Sequence, residues 1–136
     1  MGDDAVAGPG RLPQGWQPDE PPPWCTEPVQ LDLRLEGTSV EGGVARVGGR
    51  RYVVLGSAAT CDVRISDSSV AEAHAVIAHH RNGLAYIVDL GSGKGTALDG
   101  APLTSLSPKH LRRGASVVLG EASPLVVSGG ELLSNR

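Results

Sequence analysis

The chain has 136 residues, which is enough for one folded domain with a buried core but too few for two independent ones. Its formal net charge of −3 provides no overall positive field, so nucleic acid and an anionic membrane surface are excluded as default partners. The absence of Phe, with only two Trp and two Tyr, argues against recognition of bases by aromatic stacking. Cys25 and Cys61 form no metal-binding pair in the sequence, so we expect free thiols and an intracellular location, cytoplasmic (including cytoskeletal assemblies) or nuclear.

Residues 1–27 are predicted to form a flexible Pro-rich arm. They contain most of the prolines of the chain and few regularly spaced apolar residues, so they cannot bury enough surface to fold alone. Trp24 is the exception, because a large ring next to a folded domain usually becomes buried. We expect Trp24 to dock on the domain, and the alternative is a direct contact with a partner. Residues 28–128 are predicted to form the domain and residues 129–136 a C-terminal tail.

Period-two alternation begins at Leu31, Leu33 and Leu35, which is typical of a strand with one buried face. Further short strands are predicted at 44–47, 52–55, 63–65, 75–78, 84–89, 96–98, 116–119 and 125–127. Gly48-Gly49 predicts a hairpin between the second and third strands, and Asn82-Gly83 and Asp99-Gly100 predict two more tight turns. Short strands with such turns, and no convincing amphipathic helix, predict an all-β sandwich of two antiparallel sheets.

Residues 91–96 read Gly-Ser-Gly-Lys-Gly-Thr and therefore have to be compared with a phosphate-binding loop. The full pattern fails, because its first Gly falls on Val88 and its last hydroxyl residue falls on Gly95. The segment also runs into the Asp99-Gly100 turn, whereas a phosphate-binding loop opens a helix. A nucleotide-binding enzyme is therefore the least favoured interpretation, and we predict no cofactor and no metal.

Four spaced motifs resemble those of the forkhead-associated (FHA) domain, a family of phosphothreonine readers. They are Gly56 followed by Cys61-Asp62, then His74, then Asp-Leu-x-Ser-x-x-Gly-Thr at 89–96, and finally Leu-x-x-Gly-x-x-Val-x-Leu-Gly at 111–120. The resemblance covers residues 29–128 and is greatest to the branch that contains the nuclear inhibitor of protein phosphatase-1. It implies an FHA-type β-sandwich. It also implies a structural role in fixing the loops for Gly56, His74, Asp89, Ser92, Gly95 and Thr96.

The same resemblance implies that the usual phosphate ligands are missing. The phosphate-binding Arg and Ser of the family fall on Ser57 and Ala71, and the neighbouring Arg falls on Glu72. The Asn that holds the ligand backbone falls on Lys94. Each charge-assisted hydrogen bond lost costs about 1.5–3 kcal/mol, and Glu72 would repel a phosphate. The implied peptide-binding face, degenerate in this chain, consists of Ser57, Ser69, Ala71, Glu72, Gly93 and Lys94.

These motifs predict a non-catalytic protein-interaction or scaffold subunit of a larger assembly, in which phosphate-dependent binding is weakened or lost. No catalytic residue is predicted, because no recognisable motif places a nucleophile beside His74. The first alternative is a functional phosphothreonine-peptide-binding adaptor. In that case a basic residue restores the positive charge, and the candidates are Lys94, Arg50, Arg51 and Arg64. We expect protein partners to contact the arm at Trp24 and the loop tips.

Overall fold

The structure is a computed structural model that describes residues 22–26, 33–40, 42–48 and 50–129. These residues form eleven short strands and no helix within the described part of the chain. In chain order the strands are β1 (Arg34–Glu36), β2 (Val44–Arg46), β3 (Tyr52–Gly56), β4 (Val63–Arg64), β5 (Ala75–His79), β6 (Ala85–Asp89), β7 (Thr96–Leu98), β8 (Ala101–Pro102), β9 (Lys109–His110), β10 (Ser116–Leu119) and β11 (Leu125–Ser128).

The strands form two sheets. The six-stranded sheet has the order β2-β1-β11-β10-β7-β8, and the five-stranded sheet has the order β4-β3-β5-β6-β9. Neighbouring strands run antiparallel, apart from β3 and β4, which are parallel. The predicted all-β sandwich is confirmed.

The core lies between the sheets and consists almost entirely of aliphatic side chains. On β3, Val53 and Leu55 are buried and point inward, whereas Tyr52 and Val54 are half-buried on the opposite face. Such alternation is expected where β-branched and other aliphatic residues occupy every second position of a strand. The two central strands, β5 and β6, are buried along their whole length. They therefore form the rigid centre to which the loops are attached.

The predicted hairpin at Gly48-Gly49 is wrong. β2 pairs with β1 in the six-stranded sheet, whereas β3 pairs with β4 and β5 in the other sheet. The backbone N–H groups of Val47 and Gly48 both donate to the carbonyl of Leu33, so the chain stays beside β1 up to Gly48 and then crosses between the sheets. Alternation identifies a strand, but the pairing depends on long-range packing that a Gly-Gly dipeptide does not encode.

The other two predicted turns are confirmed. Asn82 and Gly83 connect β5 to β6, and Gly83 has a φ of 91°. Asp99 and Gly100 connect β7 to β8 with φ values of 52° and 85°. Two successive positive φ angles are typical of the tight hairpin turns that favour Asp-Gly.

Residues 22–26 lie against the domain near the end of β5. The ring of Trp24 stacks on His80, with centroids 5.1 Å apart, and meets Tyr86 edge-on at 6.2 Å. The backbone N–H of Thr26 donates to the carbonyl of His79, and that of Arg81 donates to the carbonyl of Trp24. The remainder of the arm and the tail after residue 129 lie outside the described residues, so the division at 27 and 128 stays a prediction. Within the described ranges no helix is long and apolar enough to cross a membrane.

Candidate functional site

The residues that the sequence marks as functional lie mainly in loops at one end of the sandwich. These loops follow β3, β4, β6 and β10. Hydrogen bonds between loops hold them together: the N–H of Ser57 donates to the carbonyl of Ala71, and the N–H of Gly120 donates to that of Gly95. We call this region the loop end, defined as residues 57–62, 66–74, 90–95 and 120–124.

Asp89, at the end of β6, is the centre of the loop that follows it. Its carboxylate accepts five hydrogen bonds: from the hydroxyls of Thr96 (2.6 Å), Ser92 (2.7 Å) and Ser105 (3.0 Å), and from the N–H groups of Gly91 and Ser92. Burial raises the pKa of this carboxyl, but these hydrogen bonds outweigh burial and hold the pKa below its usual value. The buried carboxylate therefore stays ionised and fixes the shape of the loop.

His74 links two loops of the loop end. Its Nδ1 accepts a hydrogen bond from the N–H of Ala71 at 3.0 Å, and its Nε2 lies 2.8 Å from the carbonyl oxygen of Gly95. Because a carbonyl only accepts, Nε2 carries the proton and the ring is the neutral tautomer. The ring is fully buried. Its two hydrogen bonds join the loop before β5 to the loop before β7. Both ring nitrogens are thus bonded to backbone groups, which is a structural arrangement.

Gly56 allows the loop before β5 to approach the end of β3. A Cβ atom at this position would overlap the backbone oxygen of Glu72 and would lie 2.9 Å from Sγ of Cys61. The thiol of Cys61 donates to that same oxygen at 2.9 Å. Burial raises the pKa of this thiol, and the charges of Asp62 and Glu72 raise it further against the opposing effect of a hydrogen bond from Ala58. The thiol is therefore protonated and packs as a structural group.

The three positions implied to have lost phosphate ligands come together. Ser57 bonds to Ala71 through the backbone, and the N–H of Ala58 donates to the carbonyl of Glu72 at 3.4 Å. Ala71 has no side-chain hydroxyl, and its N–H is already used by His74. Glu72 is exposed and presents a carboxylate at this point. The carboxylate of Glu72 therefore places a negative charge here, whereas a phosphate is bound by cationic and hydrogen-bond-donating groups.

Ser69 and Lys94 lie around Glu121, in the loop after β10. The N–H of Glu121 donates to Oγ of Ser69 at 2.7 Å, and Nζ of Lys94 lies 3.5 Å from Oε2 of Glu121. The hydroxyl of Ser69 in turn donates to Asp67 at 2.6 Å, and this hydrogen bond is the main reason that the pKa of Asp67 is lowered. Gly93 is exposed, and a Cβ atom there would meet no atom of the described residues within 4 Å.

The other basic residues that could restore positive charge lie in different places. Nη1 of Arg50 pairs with Asp62 at 2.9 Å, and Nη2 of Arg51 donates to the carbonyl of Cys25 in the arm. Nε of Arg64 donates to the carbonyl of Ser57 at 3.1 Å. Of these three, Arg64 is therefore the one that contacts a residue of the implied phosphate position.

Trp24 does not belong to the loop end. It stacks on His80, which follows the last residue of β5, whereas His74 precedes the first residue of that strand. The two histidines are six positions apart along extended chain, which corresponds to about 20 Å. The arm and the loop end are therefore two separate surfaces at opposite ends of β5.

Sequence reasoning did not identify Ser105, Asp67 or Glu121. Ser105 belongs to the polar segment 103–110, and it reaches Asp89 because β9, at the end of that segment, pairs with β6. Glu121 follows the last family motif directly, and that proximity is the one sequence signal that would have brought it into consideration. Residues 91–96 lead into β7, as predicted, and not into a helix. Among the described residues, no group of three or more His, Cys, Asp or Glu side chains is arranged to hold a metal.

Comparison with known proteins identifies the same family. The model of the family described as the FHA domain matches residues 53–120, half of the chain. A curated relative, the protein phosphatase 1 regulatory inhibitor subunit PPP1R8 homolog of Arabidopsis thaliana, is 31% identical over 101 residues. That match covers 71% of this chain but only 27% of the relative.

Solved structures agree with the family match. The solution structure of the FHA domain of a hypothetical protein of Arabidopsis thaliana has a TM-score of 0.67 and 25% identity, covering 82% of this chain and 96% of that one. The yeast splicing factor Pml1, in a study of its integration into the RES complex, has a TM-score of 0.65 and 19% identity, covering 79% of this chain and 93% of that one. The second likeness is one of fold alone.

Proposed function

We propose, because the chain belongs to the FHA domain family of protein-interaction modules, that it is a non-catalytic interaction or scaffold subunit of a larger assembly. In this proposal its recognition of phosphate is weakened or lost. Protein partners bind it without needing a phosphorylated threonine, and nucleic acid, membrane and cofactors have no part in its function. The two cysteines described as free thiols support an intracellular location, cytoplasmic or nuclear.

The observation that carries the proposal is a contrast within the loop end. Its frame is the set of residues that fix the loops, and its contents are the residues at the implied phosphate position. The frame is kept: Asp89 accepts five hydrogen bonds, and His74 joins two loops. The contents differ, because the resemblance implies that Ser57, Ala71 and Glu72 stand where the family has phosphate ligands. Losing an Arg and a Ser contact of about 1.5–3 kcal/mol each corresponds to about two to four decades of affinity for phosphate.

The relatives support the part of the proposal that concerns assemblies. The Arabidopsis thaliana protein is described as a regulatory inhibitor subunit, and the yeast Pml1 structure is described together with its integration into a complex. We propose the same general role, a piece of a multi-subunit assembly, for this chain. The chain corresponds to about a quarter of that Arabidopsis thaliana relative, so its phosphatase partner is not carried over.

A second candidate function is a phosphothreonine reader with a rebuilt site. The contact of Arg64 with the carbonyl of Ser57 favours it, since this guanidinium lies beside the position of the missing Arg. Lys94 is a weaker candidate because its ammonium group faces Glu121.

The proposal is tested by titration calorimetry with a peptide library fixed at one phosphothreonine and with the same library unphosphorylated. We expect less than about a tenfold preference, or 1.4 kcal/mol, for the phosphorylated library. The combined change Ser57→Arg, Ala71→Ser and Glu72→Arg should raise that preference. A larger preference in the unmodified chain, abolished by Arg64→Gln, would overturn the proposal in favour of the second candidate.

In the same buffer, ATP, GTP and AMP with magnesium should leave the melting temperature unchanged.

A further inference from the structure

The outer face of β3 carries a groove close to the loop end. We call it the β3 groove and define it by Tyr52, Val54, Ala58, Glu72 and Ala73, which line it together with residues 60–62. Its volume is about 440 Å³, within the range of about 300–1,000 Å³ that is usual for ligand sites. The side chains of Tyr52 and Val54 are half-buried and form its apolar wall. A groove of this size accommodates side chains of a bound peptide.

The groove exists because the sheet is incomplete at this edge. β4 pairs with β3 only at Leu55 and Gly56, so on the side of β3 that faces away from β5 no strand of the described residues lies beside Tyr52 and Val54. The carboxylate of Asp62 occupies that place instead and accepts a hydrogen bond from the N–H of Val54 at 2.9 Å. Since this side chain blocks the backbone of β3, a partner cannot add a strand here and has to dock through its side chains.

Of the two carboxylates that line the groove, one is paired with a cation and the other is not. The carboxylate of Asp62 is compensated by Arg50, whose Nη1 lies 2.9 Å away. The side chain of Glu72 is exposed and makes no hydrogen bond or ion pair with any residue in the described ranges. One uncompensated carboxylate therefore lies at the loop-end side of an apolar groove. The complementary ligand has a positive charge there and an apolar group farther along β3.

We propose that the β3 groove binds an unphosphorylated, extended segment of a protein partner in which Lys or Arg pairs with Glu72 and an apolar side chain packs against Tyr52 and Val54. This inference rests on the proposed function, because it names the ligand that replaces phosphothreonine. Glu72 contacts β3 at Gly56, two residues from Val54 and four from Tyr52. At about 3.3 Å per residue, the apolar side chain follows or precedes the basic one by about two to four residues.

Selection of random 12-residue peptides displayed on phage, with the full chain as bait, tests the inference. We expect the enriched peptides to share a Lys or Arg about two to four residues from Leu, Ile, Met or an aromatic residue. Synthetic copies should bind Glu72→Lys at least about threefold more weakly than the unmodified chain. A peptide with its Lys changed to Glu should regain affinity for Glu72→Lys, which measures the pair directly. The matched control is Glu121→Gln, a carboxylate of the same loop end outside the groove, and it should change affinity by less than about twofold.

A second variant, Ala73→Trp, fills the groove at an exposed position and should abolish binding without a change in melting temperature. Enriched peptides that lack a basic residue, an absence of enrichment, or binding that survives both Glu72→Lys and Ala73→Trp would each overturn the inference. Binding that is lost instead on Lys94→Glu would leave the proposed function intact and move the contact to the loop tips. Binding only by phosphorylated copies would contradict both. Dimerisation of the chain that Ala73→Trp abolishes would assign the groove to a second copy.

Discussion

The carboxylate of Asp89 accepts a hydrogen bond of 2.6 Å from the hydroxyl of Thr96, across the loop that connects β6 to β7. Both side chains are buried, so this contact is protected from water at the base of the loop end. The same carboxylate oxygen accepts from Ser92, whose own hydroxyl oxygen accepts from the N–H of Gly95. A single ionised group thus determines where the backbone of Gly93 and Lys94 lies.

Replacement of Asp89 by Asn should lower the free energy of unfolding by about 2–4 kcal/mol. The amide has no negative charge, and its NH₂ group would face hydroxyl and N–H donors that are left without an acceptor. Asp99→Asn is the matched control: its carboxylate is exposed and accepts from the N–H of Ser116, and Asn tolerates a φ of 52° as Asp does. Urea denaturation of both variants measures the difference. Equal losses in the two variants would mean that the hydrogen bonds to Asp89 are not what stabilises the loop.

Much of the frame at the loop end could be predicted from the sequence, because its motifs are local. Asp89, Ser92 and Thr96 lie within eight residues of one another, and their hydroxyl and carboxylate groups bond within a single loop. The turns at Asn82-Gly83 and Asp99-Gly100 were predictable for the same reason, since each depends on the conformational preference of two adjacent residues.

The features that could not be predicted depend on residues distant in sequence. Whether β2 pairs with β1 or with β3 is decided by how the two sheets pack on the core. The sequence at Gly48 is compatible with either pairing. Ser105 reaches Asp89 across 16 positions, and Glu121 reaches Lys94 across 27. No pattern of composition or spacing carries such contacts, because they arise only when the two sheets are packed together.

Gly56→Ala should destabilise the fold by at least about 1–3 kcal/mol. Its Cβ atom would overlap the backbone oxygen of Glu72, and a backbone atom cannot move aside as the end of a side chain can. Gly93→Ala provides the control, since its Cβ atom would meet nothing within 4 Å in the part of the chain that the structure describes. This substitution should change stability by no more than about 0.5 kcal/mol. Thermal and urea unfolding compare the two. A neutral Gly56→Ala would show that the loop before β5 can withdraw from β3 without cost.

The stability of the domain should fall as the pH is lowered from about 7.5 to about 5.5. The pKa of His79 is lowered, chiefly by burial, which outweighs the opposing effect of the backbone carbonyls of Arg50 and Arg51. The pKa values of His80 and His110 are lowered as well, chiefly by burial. A histidine with a lowered pKa binds fewer protons when folded than when unfolded, so its stabilising effect is present above the unfolded value of about 6.5 and is lost below it.

His79→Leu should reduce this pH dependence, because it removes the titrating ring. It should also cost no hydrogen bond, since within the described part of the chain neither ring nitrogen of His79 has a geometrically acceptable hydrogen-bond partner. The variant should therefore be more stable than the unmodified chain at pH 5.5. Lys109→Gln, an exposed change that does not titrate in this range, should leave the slope unaltered. Urea denaturation at a series of pH values measures the slopes. An unchanged slope in His79→Leu would assign the acid sensitivity to His80 and His110.

Trp24→Ala should lower the free energy of unfolding by about 1–2 kcal/mol, although the residue lies in the predicted arm. The ring stacks on His80 and meets Tyr86 edge-on, and aromatic pairs contribute about 0.5–1.5 kcal/mol beyond the area that they bury.

Deletion of residues 1–27 should leave a cooperatively folded domain that is less stable than Trp24→Ala. The deletion also removes the buried Cys25 and the hydrogen bonds of Trp24 and Thr26 with Arg81 and His79. Urea denaturation measures all three chains. If the truncated chain were as stable as the full one, residues 22–26 would contribute nothing to the domain, and Trp24 would be available to a partner at no cost in folding.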